Sequence, residues 1–471
     1  MSHPKVSTRT KLSVLGTAGL AFCGVLVETS MNVTFPTLMK QFGTSLAAVQ
    51  WVTTAYLLVV AATMVIAAFL EARFSFRTLA FWGGALFIVG DLICALSPSL
   101  PVLLTGRVIQ GVSTGIAMPL LFGVIMQRIP FALQATYVGT GGMVVAFAPS
   151  LGPTYGGLVT QTLSWPMIFW FVLPVGIVMW LIALKTIEQP HPTQHIPFPL
   201  VQFLLVVIGL TTLLLGFNNI STQGFASVLS WGPFLVAIVC FVAFGLATSR
   251  SEHKLIDLKI FKISGFIKPL AIYFLVQFVQ LGMNFLLPTY AQLVSHQSVS
   301  VSGLILLAGS LVSAILLPFV GRQLRPDNAR TLFLIGSALL IISTVYFMVF
   351  TSSLSVIGML LFYVSYMAGF AFIFNNALTF GLQQLDVRNI GDGNASFNTL
   401  QQYAGSLGTA IASVFVAMAS GAGAYTGGSA TQTVSQIITG THNYFILGFV
   451  LCVVIAIISF TVKPSMKINE E

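Results

Sequence analysis

Of 471 residues, 56% are apolar and only 7% are charged, with 20 basic and 11 acidic side chains. An ordinary soluble domain is about 25% charged, so this chain cannot clothe a water-facing surface, and a mean hydropathy of +0.95 agrees. A soluble enzyme, a disordered chain and a coiled coil are excluded, and the long uninterrupted apolar runs exclude a β-barrel, whose strands alternate over about ten residues.

A bilayer-crossing helix takes about 20 apolar residues. The chain supplies fourteen such runs, near 12–38, 47–70, 76–97, 101–126, 134–160, 165–185, 196–217, 229–249, 265–292, 299–321, 329–350, 354–381, 395–420 and 442–462. No small-residue cleavage site bounds a short apolar core in the first run, so it reads as a retained span and not as a signal peptide. With the N-terminus in the cytoplasm, eighteen Lys and Arg residues fall in inner loops or at the inner ends of spans, Lys40 alone falls outside and Arg107 alone falls well within a span. This is the positive-inside pattern. It puts both termini in the cytoplasm and accounts for the net charge of +9 without a nucleic-acid partner. Cys23, Cys94, Cys240 and Cys452 lie in apolar runs, with no disulfide or metal spacing. The Gly- and Ser-rich stretch 420–441 reads as a flexible outer loop, and 253–266 as an amphipathic element on the inner surface.

Two inner loops are alike. The stretch Ala67-Ala68-Phe69-Leu70-Glu71-Ala72-Arg73-Phe74-Ser75-Phe76-Arg77 follows span two, and Pro318-Phe319-Val320-Gly321-Arg322-Gln323-Leu324-Arg325 follows span ten. Ala68 and Gly321 are 253 residues apart, whereas six spans occupy 1–185, and the excess matches spans seven and eight with their loops. The chain therefore reads as a six-helix bundle (1–185), two inserted helices with an interfacial segment (186–262) and a second six-helix bundle (263–471). Repeats of this kind build many secondary transporters, with sites at the midplane between them.

Five stretches then carry a family resemblance. Span one reads Val27-Glu28-Thr29-Ser30-Met31-Asn32-Val33-Thr34-Phe35-Pro36, and span two opens on Gln50-Trp51-Val52-Thr53-Thr54-Ala55-Tyr56-Leu57. Span four holds Arg107-Val108-Ile109-Gln110-Gly111, span five Gly152-Pro153-Thr154-Tyr155-Gly156-Gly157, and the segment after span eight Leu255-Ile256-Asp257-Leu258-Lys259-Ile260-Phe261. In this order, over nearly the whole chain, they resemble the fourteen-span drug:proton antiporter family of the major facilitator superfamily. The resemblance implies an all-α polytopic membrane protein of the major facilitator fold, in a bacterial plasma membrane, working as a monomer without a cofactor. It places Asn32 and Tyr56 in the substrate cavity. It also makes Glu71, Arg73 and Arg77 an inner conformational loop, and Gly152, Pro153, Gly156 and Gly157 a bent seam that favours exchange over leak. The inner loop departs from the family pattern, with Ala68 and Ser75 where glycines are usual, Ala72 where an Asp is usual, and Glu71 one position early as its substitute. In the second copy Arg325 stands at the acid position.

A charge near the bilayer centre costs a few kcal/mol or more, and of eleven acids only Glu28 and Asp91 lie well inside spans. Asp91 precedes Ser99 by eight residues and Arg107 follows it by eight, so at 1.5 Å per residue both lie about 12 Å below the outer turn. An Asp91–Arg107 ion pair is the economical arrangement. Glu28 lies about 18 Å below Lys40, and no lysine or histidine falls in any span. If Asp91 holds Arg107, Glu28 is left as a desolvated acid without a cation, a group able to cycle a proton, and proton coupling is assigned to Glu28, Asp91 and Arg107. The second bundle offers uncharged polar residues instead: Tyr273, Gln277, Gln280 and Asn284 at helical spacing on span nine, Asn375 and Asn376 on span twelve, and Asn398 and Gln401 on span thirteen. These serve as interhelical glue or as cavity lining, and a whole polar face favours lining. Among 39 Phe residues, some would offer cation–π contacts.

The expectation is a proton-coupled multidrug exporter of lipophilic cationic or neutral small molecules, embedded in the lipid bilayer. The alternative is export of an endogenous amphiphile such as a lipid, peptide or signalling metabolite, and a channel or membrane sensor is more remote. No nucleophile–base pair or metal cluster supports an enzyme.

Overall fold

The computed structural model describes residues 6–188, 197–223, 227–251, 254–324, 328–386, 389–419 and 434–462. Arg325 and most of the 420–441 stretch lie outside these. Among the described residues there is no strand, and fourteen long helices carry the fold. They are α1 (Thr8–Met31), α2 (Trp51–Val65), α3 (Phe76–Ala95), α4 (Leu100–Arg128), α5 (Phe131–Thr162), α6 (Met167–Thr186), α7 (Leu200–Gln223), α8 (Val228–Arg250), α9 (Ser264–Leu293), α10 (Val299–Gln323), α11 (Ala329–Val349), α12 (Val356–Leu382), α13 (Ile390–Met418) and α14 (Val434–Phe460). Twelve stretches are long and apolar enough to cross a membrane, α1 being counted together with the short helix that follows it (Thr8–Phe42) and α2 with the turn that precedes it (Leu46–Val65), and α5 and α13 are the other two helices.

Local sequence explains the ends. Ser7, Ser75, Ser298 and Ser355 each accept a hydrogen bond from a backbone N–H in the first turn of the helix that follows, which satisfies a donor that the helix leaves unpaired. The first span is not continuous. A tight turn at Asn32–Thr34 separates α1 from a short helix, Phe35–Phe42, with Pro36 in its first turn where no N–H is needed. That helix stops at Gly43, whose φ of +58° suits glycine. The last span begins eight residues before its expected start. It places His442 two turns into α14, and Lys268 sits in the first turns of α9. Both already lie within the apolar runs 442–462 and 265–292, and the expectation that spans hold no lysine or histidine fails. The polar residues Ser435, Gln436 and Thr439 dilute the apolar signal there but do not interrupt the helix.

Packing repeats with an offset of eight helices. In the first six, α1 packs on α4, α5 and α6, α3 on α4 and α6, and α2 on α4; in the last six, α9 packs on α12, α13 and α14, α11 on α12 and α14, and α10 on α12. The two sets meet along two seams, α5 with α10 and α2 with α13, which the same offset exchanges. The inserted pair breaks the symmetry. α7 lies against α13 and α2, whereas only 17% of an apolar 18-residue stretch of α8 is buried, against 83% for α9. Its exposed Val228, Leu229, Leu235 and Ile238 therefore face lipid, where apolar exposure costs nothing.

Fourteen crossings return the chain to the face on which it began. There Glu188 joins Arg9 to Arg128, and the Lys268 ammonium donates to the Thr461 carbonyl at 2.9 Å. This face carries the basic loops and is called the basic face below.

Candidate functional site

The buried charged residues of the first six helices, Glu28, Asp91 and Arg107, lie on α1, α3 and α4, and Arg107 reaches across to α2. Gly90 and Gly106 allow α3 and α4 to touch through their backbones, since a Cβ on Gly90 would lie 2.9 Å from the Gln110 nitrogen and one on Gly106 would lie 3.0 Å from the Cys94 nitrogen. At so close an approach the long Arg107 side chain does not fold back onto Asp91. It reaches α2 instead, where Nε donates to the Val52 carbonyl at 3.1 Å and the guanidinium lies 4.1 Å over the Tyr56 ring. Gln110, one turn along α4, fills the gap: its carbonyl accepts from Arg107 Nη1 at 2.8 Å and its amide nitrogen donates to Asp91 Oδ1. The expected Asp91–Arg107 ion pair is thus replaced by an Asp91–Gln110–Arg107 chain. All three side chains are buried, and Asp91 Oδ2 and Arg107 Nη2 have no hydrogen-bond partner among the described residues.

Glu28 is 5% exposed and makes no hydrogen bond or ion pair with any described residue. Arg107 is the cation whose field reaches it. Below it on α1, Gly24 leaves room for Thr114, and the Tyr56 hydroxyl donates to Thr114 Oγ1 at 2.8 Å. Above it, Asn32 accepts from Thr53 at 2.9 Å. Tyr56 and Asn32 are therefore buried and occupied by protein contacts. Gln110 and Thr53 stand in stretches that carry the family resemblance, which gives them no role of their own, and Thr114 stands outside those stretches; the three-residue spacing from Arg107 to Gln110 is the signal that ties the first to the arginine.

The second set holds its polar groups differently. The Tyr273 hydroxyl donates to Gln401 Oε1 at 2.6 Å while its ring stacks on Phe374 at 4.2 Å. Asn284 accepts from the Tyr363 hydroxyl at 2.6 Å. Gln277 and Gln280 are buried on the same face of α9. Asn376 and Asn398 each donate to a carbonyl of their own helix, and Asn375 is exposed, so neighbouring Asn375 and Asn376 do not act as one surface.

α5 is wedged between α1 and α10. A Cβ on Gly152 would meet Thr29 Oγ1 at 1.9 Å and one on Gly156 the Ser30 carbonyl at 2.3 Å, both on the turn that follows Glu28. On its other side, Gly157 lies against Val299, and the Pro153 carbonyl lies 2.4 Å from where a Cβ of Gly303 would be. Beside this seam, at the face opposite the basic loops, Gln292 donates to the Val33 carbonyl at 3.0 Å, Ser300 N to Gln161 Oε1 at 3.2 Å, and Phe35 and Phe285 pack at 5.6 Å. Along the other seam, Ser406 donates to the Thr54 carbonyl at 2.9 Å. The two sets are joined at that face.

On the basic face, just past the end of α2, the Glu71 carboxylate packs where a Cβ of Gly123 on α4 would be, and burial pushes its carboxyl up to about 7. Arg73 is half-buried at the end of the same turn, and Arg77 is exposed beside Ser75 and Thr78 at the start of α3. Among the described residues no group of three His, Cys, Asp or Glu could hold a metal ion.

Residues 17–409 match the model of the Major Facilitator Superfamily. The chain is 30% identical to the lincomycin resistance protein LmrB of Listeria monocytogenes over 452 residues, 94% of this chain and 95% of the relative. It is 26% identical to the multidrug resistance protein B homolog of Mycobacterium tuberculosis, covering 87% of this chain and 77% of the relative. It is 24% identical to the riboflavin transporter RibZ of Clostridioides difficile, covering 95% and 96%. A crystal structure of the peptide transporter POT in complex with sulfate superposes with a TM-score of 0.69 at 13% identity, covering 97% of this chain and 96% of that one, a likeness of fold.

Proposed function

The chain belongs to the drug-efflux family of the Major Facilitator Superfamily, and we propose that it is a proton-coupled antiporter exporting lipophilic cationic or neutral compounds by alternating access. It is a multi-pass membrane protein with bacterial relatives, as a plasma-membrane transporter requires. In this reading the bundles 1–185 and 263–471 rock about a central cavity, Glu28 takes a proton from outside, and its loss toward the cytoplasm restores an anionic cavity. Proton and cationic cargo compete, because one desolvated carboxylate cannot hold both well.

The observation that carries the reading is the state of Glu28: a buried acid, midway along the first span, with no hydrogen bond or ion pair to any described residue. An unpaired buried carboxyl is expensive, and function is the reason to retain one. The riboflavin transporter relative supports a second reading, an endogenous metabolite as cargo.

The test is uptake of tetraphenylphosphonium into proteoliposomes under an imposed pH gradient. Wild-type protein should respond to the gradient, and Glu28→Gln should lose the response while staying monodisperse with an unchanged melting temperature. Gradient-driven uptake by Glu28→Gln at the wild-type rate would overturn the assignment. A deletion strain that accumulates a metabolite without gaining drug sensitivity would favour the second reading.

A further inference from the structure

Among the described residues the hydrogen-bonded link between Asp91 and Arg107 runs only through the side-chain amide of Gln110, and an amide has one accepting and one donating end. Its carbonyl serves Arg107 Nη1 and its NH2 serves Asp91 Oδ1, an arrangement that suits ionised Asp91. A proton on Asp91 Oδ1 reverses the demand at that end, because the carboxylic O–H now needs an acceptor. The amide can supply one only by turning over, and its NH2 then faces Arg107, donor against donor. The guanidinium is released from Gln110, and Glu28 is the acid that its field already reaches. Asp91 Oδ2 and Arg107 Nη2, both buried and unpartnered among the described residues, are the spare capacity that such an exchange uses.

We propose that Gln110 is a positioning residue, a relay through which Asp91 and Glu28 share one arginine and one proton. A proton on Asp91 leaves Arg107 to ionised Glu28; a proton on Glu28 leaves Arg107 tied through Gln110 to ionised Asp91. In both states one cation faces one carboxylate, which keeps the cluster neutral in a place where net charge is costly. The titratable groups that face Asp91 are Arg107 on α4, Cys23 on α1, Tyr56 on α2, Tyr155 on α5 and Cys94 on its own helix, and Glu28 faces Arg107 and Tyr56. Arg107 is the only cation among them. This inference rests on the antiport reading and specifies how its proton is held.

Proton release on tetraphenylphosphonium binding tests it, with the purified full chain in weakly buffered detergent and a pH indicator. Asp91→Asn and Gln110→Leu should each shift the midpoint of release by about one pH unit, a tenfold change in proton affinity. The double variant should shift it no further than either single one, because both cut the same link. Additive shifts, or no shift from Gln110→Leu, overturn the relay and leave the antiport reading standing. Wild-type release by Glu28→Gln overturns both. If Gln110→Leu does not stay monodisperse, Gln110→Met carries the same comparison.

Discussion

Glu28 and Asn284 both stand twenty residues past the first residue of their helices, α1 and α9, and Arg107 and Tyr363 both stand seven past the first residue of α4 and α12. By the eight-helix offset these are equivalent positions. In the second set the two groups are joined at 2.6 Å, neutral donor to neutral acceptor. In the first set an acid and a guanidinium occupy the same places without touching, and Arg107 spends its donors on Val52 and Gln110. One packing scheme thus carries two chemistries. The neutral pair adds stability and cannot respond to protons, whereas the charged pair is held apart and can.

The first way to break this comparison is to remove its cation. Arg107→Met leaves Asp91 and Glu28 buried with no positive charge among them, and such a loss typically costs about 3–5 kcal/mol. The expected result is a large fall in melting temperature, read by a thiol-reactive dye on the four buried cysteines. An unchanged melting temperature would mean that the first set tolerates its acids without Arg107.

A smaller effect is expected on the basic face. The folded value of about 7 for Glu71 lies above its ordinary 4.5, because burial disfavours the ionised form. Folded protein therefore binds this proton more tightly than unfolded protein does. Stability should fall as pH rises from about 4.5 to about 7 and then level off. Glu71→Gln, which keeps the shape and removes the titration, should flatten that slope in melting temperatures taken on either side of the window. The same slope in both proteins would place the titration elsewhere.

Much of this arrangement can be read along the chain. Charges are so rare that each loop's basic residues mark its side, and the twin loops after spans two and ten reveal the repeat before any helix is packed. What escapes is whatever depends on how closely helices approach. Asp91 and Arg107 have equal depth, and depth alone pairs them; the glycine contact between α3 and α4 sends the arginine past its partner and brings Gln110 between them. The break at Asn32–Thr34 is less visible because its residues are no more polar than those around them, and Pro36, in the first turn of the helix that follows, is its one sequence mark. Asn375 and Asn376 look like one feature in sequence, but a helix turns about 100° between neighbours, and one is exposed where the other is buried.

The finest test of the comparison sets two amides of α9 against each other. Asn284 accepts a hydrogen bond from Tyr363, so Asn284→Leu should cost about 1 kcal/mol through the hydrogen bond lost. Gln277, one helical face with it and equally buried, makes no hydrogen bond with a described residue. Leucine fills a similar volume without a polar group to desolvate, so Gln277→Leu should leave stability unchanged or slightly raised. Transport should respond in the opposite order. If Gln277 is kept polar for cargo, its leucine variant should lose export of a hydrogen-bonding probe relative to tetraphenylphosphonium, while Asn284→Leu should slow both probes alike. A Gln277→Leu protein with the wild-type ratio of the two probes would reduce the polar face of α9 to packing, and leave cargo recognition to the charged helices of the first set.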